Sequence, residues 1–94
     1  GTVDFSMISG GVTIEEGATV TDSILMPGAT VKKGAVVEYA IVGESSVIEA
    51  GAHIGARPET IENKSEWGIA VVGHDITVSQ GTVVAPKQII SADI

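Results

Sequence analysis

This chain contains no cysteine, which excludes disulfides, a thiolate nucleophile and zinc–thiolate sites. Aromatic residues are nearly as scarce: one Trp, one Tyr and one Phe in 94 residues. A globular domain of this size normally fills its centre with several rings. Here hydrophobic residues make up 44% of the chain, so a core must come from Val, Ile and Ala. Positive charge is thin as well. Five Lys and Arg against twelve Asp and Glu leave a net charge of −7, which argues against a nucleic-acid partner and against a basic membrane-binding face. No apolar run approaches the roughly 20 residues needed to span a bilayer. The first residues also lack the basic-then-apolar order of a signal peptide. The expectation is one small, soluble, cytoplasmic domain.

What the chain does have is repetition. The segment Ile8 to Val20 aligns with Leu25 to Val37, and that with Val42 to Ile54, each offset by 17 residues. Gly17, Gly34 and Gly51 coincide, as do Ala18, Ala35 and Ala52, and Ile14, Val31 and Ile48. Within each copy the large aliphatics fall six residues apart, as at Ile8, Ile14 and Val20. A fixed period with a six-residue sub-period marks a hexapeptide-type parallel β-helix, each coil one turn of a three-sided prism. A narrow prism needs one layer of aliphatics per coil and no rings, which reconciles the composition with a packed core.

Strand alternation assigns the side chains of each side. The large aliphatic points inward, and so does the small residue two before it: Val12, Ala29, Ser46 on the first side, Ala18, Ala35, Ala52 on the second, Ser6, Ser23, Ala40 on the third. The residue between them must face out. Those series are Thr13, Thr30, Val47; then Thr19, Val36, His53; then Met7, Ile24, Ile41, which is apolar throughout. After residue 56 the rhythm breaks. A fourth copy is due at position 59, yet the register returns at Val72, Val78 and Val84, with Gly81 in the glycine column. The register is offset by 13 residues, and the inserted loop is placed at residues 57–68, where Pro58 removes a ladder donor and forces the chain out of the coil. Val71 then resumes the outward apolar stripe. Met7, Ile24, Ile41 and Val71 are therefore candidate contact residues, joined by Trp67, the one tryptophan of the inserted loop.

The corners stack charge. Glu15, Lys32 and Glu49 share one column and Glu16, Lys33 and Ala50 the next, a ladder that sets both lysines beside carboxylates of neighbouring coils. Residues 1–7 read as the tail of a coil whose beginning is missing, since a solenoid opened in mid-coil exposes unpaired strand edges. The chain is therefore expected to be a fragment of a longer one. A metal site needs at least three converging ligands, whereas His53 and His74 lie in different columns. An outward His53 fits the general base of a hexapeptide acyltransferase, and a purely structural assembly module is a further reading. No self-contained catalytic site is expected, and no metal.

Four stretches go beyond the generic hexapeptide pattern: Asp22-Ser23-Ile24-Leu25-Met26-Pro27-Gly28, Val37-Glu38-Tyr39-Ala40-Ile41-Val42, Gly55-Ala56-Arg57-Pro58-Glu59 and Glu66-Trp67-Gly68-Ile69-Ala70-Val71-Val72-Gly73. With them the sequence resembles, over essentially all its length, the C-terminal domain of bacterial glucose-1-phosphate adenylyltransferase (ADP-glucose pyrophosphorylase). The resemblance implies a left-handed, single-stranded parallel β-helix of about five coils with one inserted loop, a handedness opposite to the usual crossover rule. It implies that the whole enzyme makes ADP-glucose and pyrophosphate from ATP and glucose 1-phosphate for glycogen synthesis, using magnesium. That chemistry would reside in an N-terminal nucleotidyltransferase domain with a G-G-x-G-[ST]-R-L motif absent from this sequence. The fragment alone would be inactive and cofactor-free, in either a catalytic subunit or a regulatory paralogue. Its implied partners are its own catalytic domain, the other subunits of a homotetramer, and a phosphorylated effector. Some plant relatives carry an effector-contacting lysine after the matching G-I-x-x-V stretch. His74 stands there in this chain and is the effector-binding candidate.

Overall fold

The hydrogen-bond ladder of this protein climbs the chain by one coil at a time. In the computed structural model, which describes residues 2–62, 65 and 67–94, the amide of residue i donates to the carbonyl of residue i+16. Thr13 reaches Ala29, Thr19 reaches Ala35, Thr30 reaches Ser46 and Val36 reaches Ala52, all at 2.9–3.0 Å. Across the insertion the same bonds run from Val47 to Ile76 and from His53 to Thr82, at 2.8 and 2.9 Å. The loop thus adds thirteen residues without disturbing the stack.

Three parallel sheets result. The first side comprises β3 (Thr13–Ile14), β6 (Thr30–Val31), β9 (Val47–Ile48) and β12 (Thr77–Val78). The second comprises β1 (Thr2–Asp4), β4 (Thr19–Thr21), β7 (Val36–Glu38), β10 (His53–Ile54) and β13 (Val83–Val84). The third comprises β2 (Met7–Ile8), β5 (Ile24–Leu25), β8 (Ala40–Val42), β11 (Ala70–Val72) and β14 (Ile89–Ile90). Successive strands of the chain visit the three sides in turn, so the fold is an all-β solenoid of about five turns. The expected registers hold, Val72 on Val42, Val78 on Ile48 and Val84 on Ile54. Only the last turn differs. Val71 pairs with Ile89, one residue beyond the 17-residue period, because Ala85-Pro86-Lys87-Gln88 makes a longer corner.

Leu25, Val31 and Val37 form one core layer, Val42, Ile48 and Ile54 the next, and Val72, Val78 and Val84 the third, all fully buried. Burying each such side chain contributes about 1.5–3 kcal/mol. Between the layers sit Ala18, Ala29, Ala35, Ala40 and Ala52, also buried, where a larger residue would collide with the adjoining side. Serine takes this place three times, and its hydroxyl joins the ladder. Ser23 Oγ donates to Thr21 O and accepts from the Ala40 amide, at 2.8 and 3.2 Å. Ser6 does the same for the Ser23 amide one coil above. Ser46 Oγ donates to Gly73 O and accepts from the Ile76 amide at 3.0 Å. Both buried serines are therefore satisfied, as low-dielectric burial requires.

The corners turn through left-handed backbone. Gly17, Gly34, Gly51 and Gly81 hold φ between 72° and 80° at the second corner, a region that costs an L-residue about 1–2 kcal/mol. The third corner uses Phe5, Asp22 and Tyr39 at φ 47–49° instead. The insertion leaves from this third corner through Gly55 (φ 78°), where an added Cβ would overlap the Glu38 carbonyl oxygen.

Two glycine substitutions separate these constraints. Gly51→Ala has open space for its methyl and should lower stability by about 1 kcal/mol, the left-handed backbone cost. Gly55→Ala carries the same backbone cost plus a collision with main chain, and should lose about 1–3 kcal/mol more. Urea unfolding of both variants measures the difference; equal losses would remove the proposed close approach. Ser46→Ala should cost about 1–3 kcal/mol in the same assay, because it strands the buried Ile76 amide.

Candidate docking face and corner pocket

Met7, Ile24, Ile41 and Val71 stand directly over one another on the third side, in register through the parallel pairings of β2, β5, β8 and β11. Ile89 of β14 extends the column; it was not among the expected members, because the longer last corner hides its register from a 17-residue count. The ends of the column are open, Met7 69% and Ile89 74% exposed, while Ile41 and Val71 are half-buried by their neighbours. Met26 and Ile69 add exposed apolar surface at the two margins of this face. A contiguous apolar strip of this kind differs from the scattered hydrophobics of an ordinary surface.

At the corner leading from the third side to the first, the strip runs into a pocket of about 510 Å³ lined by Met26, Ile41, Gly43, Glu44, Val71, Val72, Gly73 and His74. Its floor is the stacked pair Gly43 and Gly73. A Cβ on Gly43 would lie 2.5–2.7 Å from the backbone of Gly73 and His74, so glycine is required there by close coil packing. The sequence signal was available, since Gly43 and Gly73 fall in one column, but it does not show a hollow above them.

His74 sits on the rim with its side chain 82% exposed, its Nδ1 3.3 Å from Asp75 Oδ2. Glu44 stands one coil below in the same column, and Asp75 holds a left-handed turn (φ 52°). The described Lys and Arg residues belong to other corners: Lys32 and Lys33 to the second, Arg57 and Lys87 to the third. The rim is acidic.

Trp67 lies against its own solenoid. Its Nε1 donates to Ala56 O at 2.6 Å, and its ring meets Tyr39 edge-on, centroids 5.5 Å apart at 76°. Aromatic pairs of this kind add about 0.5–1.5 kcal/mol. From the coil above, Lys87 clamps the returning chain by donating its amide to Gly68 O and its Nζ to Ser65 O, at 2.9 and 3.0 Å.

On the second side, outward His53 meets Glu38 diagonally across coils, Nε2 to Oε1 2.8 Å. The pairing is missed by scanning adjacent positions, because the partner lies fifteen residues away in the next coil. Of the expected charge ladder, Lys32 stands 3.9 Å from Glu15, and Glu15 also accepts the Lys33 amide at 3.0 Å. The latter is a hydrogen bond to main chain rather than a second ion pair. Among the described residues no three His, Cys, Asp or Glu side chains group closely enough to hold a metal ion. Among the described residues no helix is long and apolar enough to cross a membrane.

A family model described as the GMPPB C-terminal domain matches residues 4–93 of this sequence. The chain belongs to that family. It is thus a C-terminal β-helix domain of the sugar nucleotidyltransferase kind, in agreement with the parallel-sheet solenoid of the fold. No curated protein matches the chain. Among solved structures it is similar to the H141A mutant of GDP-perosamine N-acetyl transferase from Caulobacter crescentus, crystallised with CoA and GDP-perosamine, at 21% identity and a TM-score of 0.35. That alignment covers 99% of this chain and 50% of the acetyltransferase, so the chain spans half of that protein's length.

Because Trp67 is the single tryptophan, its fluorescence reports the docked loop directly. Tyr39→Ala should red-shift the emission and raise acrylamide quenching while far-ultraviolet circular dichroism stays unchanged. An unaltered emission spectrum would show that the Tyr39 ring does not hold the loop.

Proposed function

We propose that this domain is the oligomerisation and regulatory β-helix of a glucose-1-phosphate adenylyltransferase, the enzyme that makes ADP-glucose and pyrophosphate from ATP and glucose 1-phosphate for glycogen synthesis. The observation that carries the structural half of this reading is the continuous apolar column Met7, Ile24, Ile41, Val71 and Ile89 on one flat face. A solenoid with no metal-ligand cluster among its described residues, but with one unpartnered apolar face, is suited to holding other parts of an enzyme in place. Family membership over residues 4–93 supports the nucleotidyltransferase half. The narrower choice of ADP-glucose is supported by the resemblance of Gly55-Ala56-Arg57-Pro58-Glu59 and Trp67-Gly68-Ile69-Ala70-Val71-Val72-Gly73 to that enzyme.

In this reading catalysis belongs to an N-terminal nucleotidyltransferase domain, with magnesium supplying charge stabilisation at the phosphates. The β-helix sets how that domain and its neighbours in a tetramer are disposed. Its own histidines take no chemical step. Regulation would act through the docking face rather than by phosphate binding at His74, because Glu44 and Asp75 beside that residue repel an anion.

Two measurements on the longer protein carrying this domain test the proposal. Among pairings of nucleoside triphosphates with sugar 1-phosphates, ATP with glucose 1-phosphate should give the highest kcat/KM; preference for another pair would overturn the assignment. Ile24→Ser combined with Ile41→Ser should weaken subunit association at least about tenfold, as expected when buried aliphatic contacts worth over 1.4 kcal/mol are lost. Unchanged sedimentation and unchanged stability would remove the docking role.

A further inference from the structure

The corner pocket and the strip it opens from point to a partner of defined charge. Three features of the rim decide the sign. Glu44 lines the mouth, and Asp75, just outside it, stands 3.3 Å from the ring of the exposed His74 that also lines it. The described cations lie at the other two corners, as set out above. The chain as a whole carries a net charge of −7, so two copies brought face to face would repel, and an anionic ligand would meet the same field.

Beneath this rim the walls are apolar. Met26, Ile41, Val71 and Val72 line it together with Gly43 and Gly73, whose backbones are packed closely coil on coil. An occupant must therefore combine an aliphatic body with a cationic end, as a lysine or arginine side chain does when its stem lies on apolar surface and its head stays at the wet edge.

We infer that the third side and its corner pocket dock a basic, apolar protein surface, one Lys or Arg of which seats its stem over Gly43 and Gly73 and its charge between Glu44 and Asp75. This rests on the docking-face reading above and names the chemistry of what docks. It turns His74 from an effector-phosphate contact into part of an acidic receptor for a side chain.

Small probes on the 94-residue chain test the charge preference independently of any assembly. Methyl and imidazole resonances of Met26, Ile41, Val71 and His74 are followed by NMR during titration with n-hexylammonium, with hexanoate of matched length, and with inorganic phosphate. Hexylammonium should produce saturable shifts confined to the pocket, and Glu44→Gln with Asp75→Asn should weaken its binding about fivefold, the scale of exposed charge pairs. Hexanoate and phosphate should produce none. Saturable shifts with either anion, hexylammonium binding unaffected by the double substitution, or concentration-dependent burial of the same methyls in a dimer of the chain would each overturn the inference. If the probe behaves as expected while Ile24→Ser with Ile41→Ser leaves the longer protein's assembly intact, the pocket chemistry stands and only the assembly role fails.

Discussion

Registered hydrogen bonding between successive coils is the constraint on which the rest of this structure depends. Once Thr13 is bonded to Ala29 and Thr19 to Ala35, every residue is placed above one seventeen positions away, and like must tolerate like at about 4.8 Å. Core aliphatics therefore stack into layers, alanines fill the narrow places between sides, and glycines collect where the backbone turns left-handed. No aromatic core is required, because the axis of the prism is one side chain wide. Function inherits the same rule. An outward residue that is harmless once becomes a strip when it recurs in each coil, and the strip of Met7, Ile24, Ile41, Val71 and Ile89 is a by-product of register before it is a surface for anything else.

The insertion shows how strictly the constraint holds. The chain leaves at Gly55 and returns before Ala70 with thirteen residues added to the period, yet the Ile54–Val84 and Val42–Val72 pairings are kept. The loop is tied to the solenoid from two levels, by Tyr39 and Ala56 O on Trp67 and by Lys87 on Gly68 O and Ser65 O. A long excursion is tolerated because it begins and ends at a corner, where no ladder bond of the sides needs to be broken. Loop length itself adds little entropy cost to closure.

Much of this was legible beforehand because a solenoid converts sequence spacing directly into contact. The identity of the inward residues, the apolar outward column and the size of the insertion all follow from counting by seventeen. What escaped the count was anything diagonal or local. The His53–Glu38 pair spans fifteen residues and crosses columns. The serine hydroxyls that replace ladder bonds at Ser6, Ser23 and Ser46 are inward residues whose polar atoms a burial pattern treats as filler. The left-handed corner at Phe5, Asp22 and Tyr39 has no glycine to announce it. Ile89 lay one residue out of phase, and the acidic rim around His74 emerges only when Glu44 is seen one coil below it. The family resemblance, rather than periodicity, carried the handedness and the nucleotidyltransferase association, and the family match agrees with the second at the level of sugar nucleotidyltransferases.

The most direct test of the central claim is a measurement of trans-hydrogen-bond scalar couplings in the isotopically labelled chain. The account predicts couplings from the amide nitrogens of Thr19 and Val36 to the carbonyl carbons of Ala35 and Ala52, and from those of Val47 and His53 to Ile76 and Thr82 across the insertion. Couplings that instead link those amides to carbonyls at any other spacing would contradict the stacked-coil register, and with it the docking face and the corner pocket that the register builds.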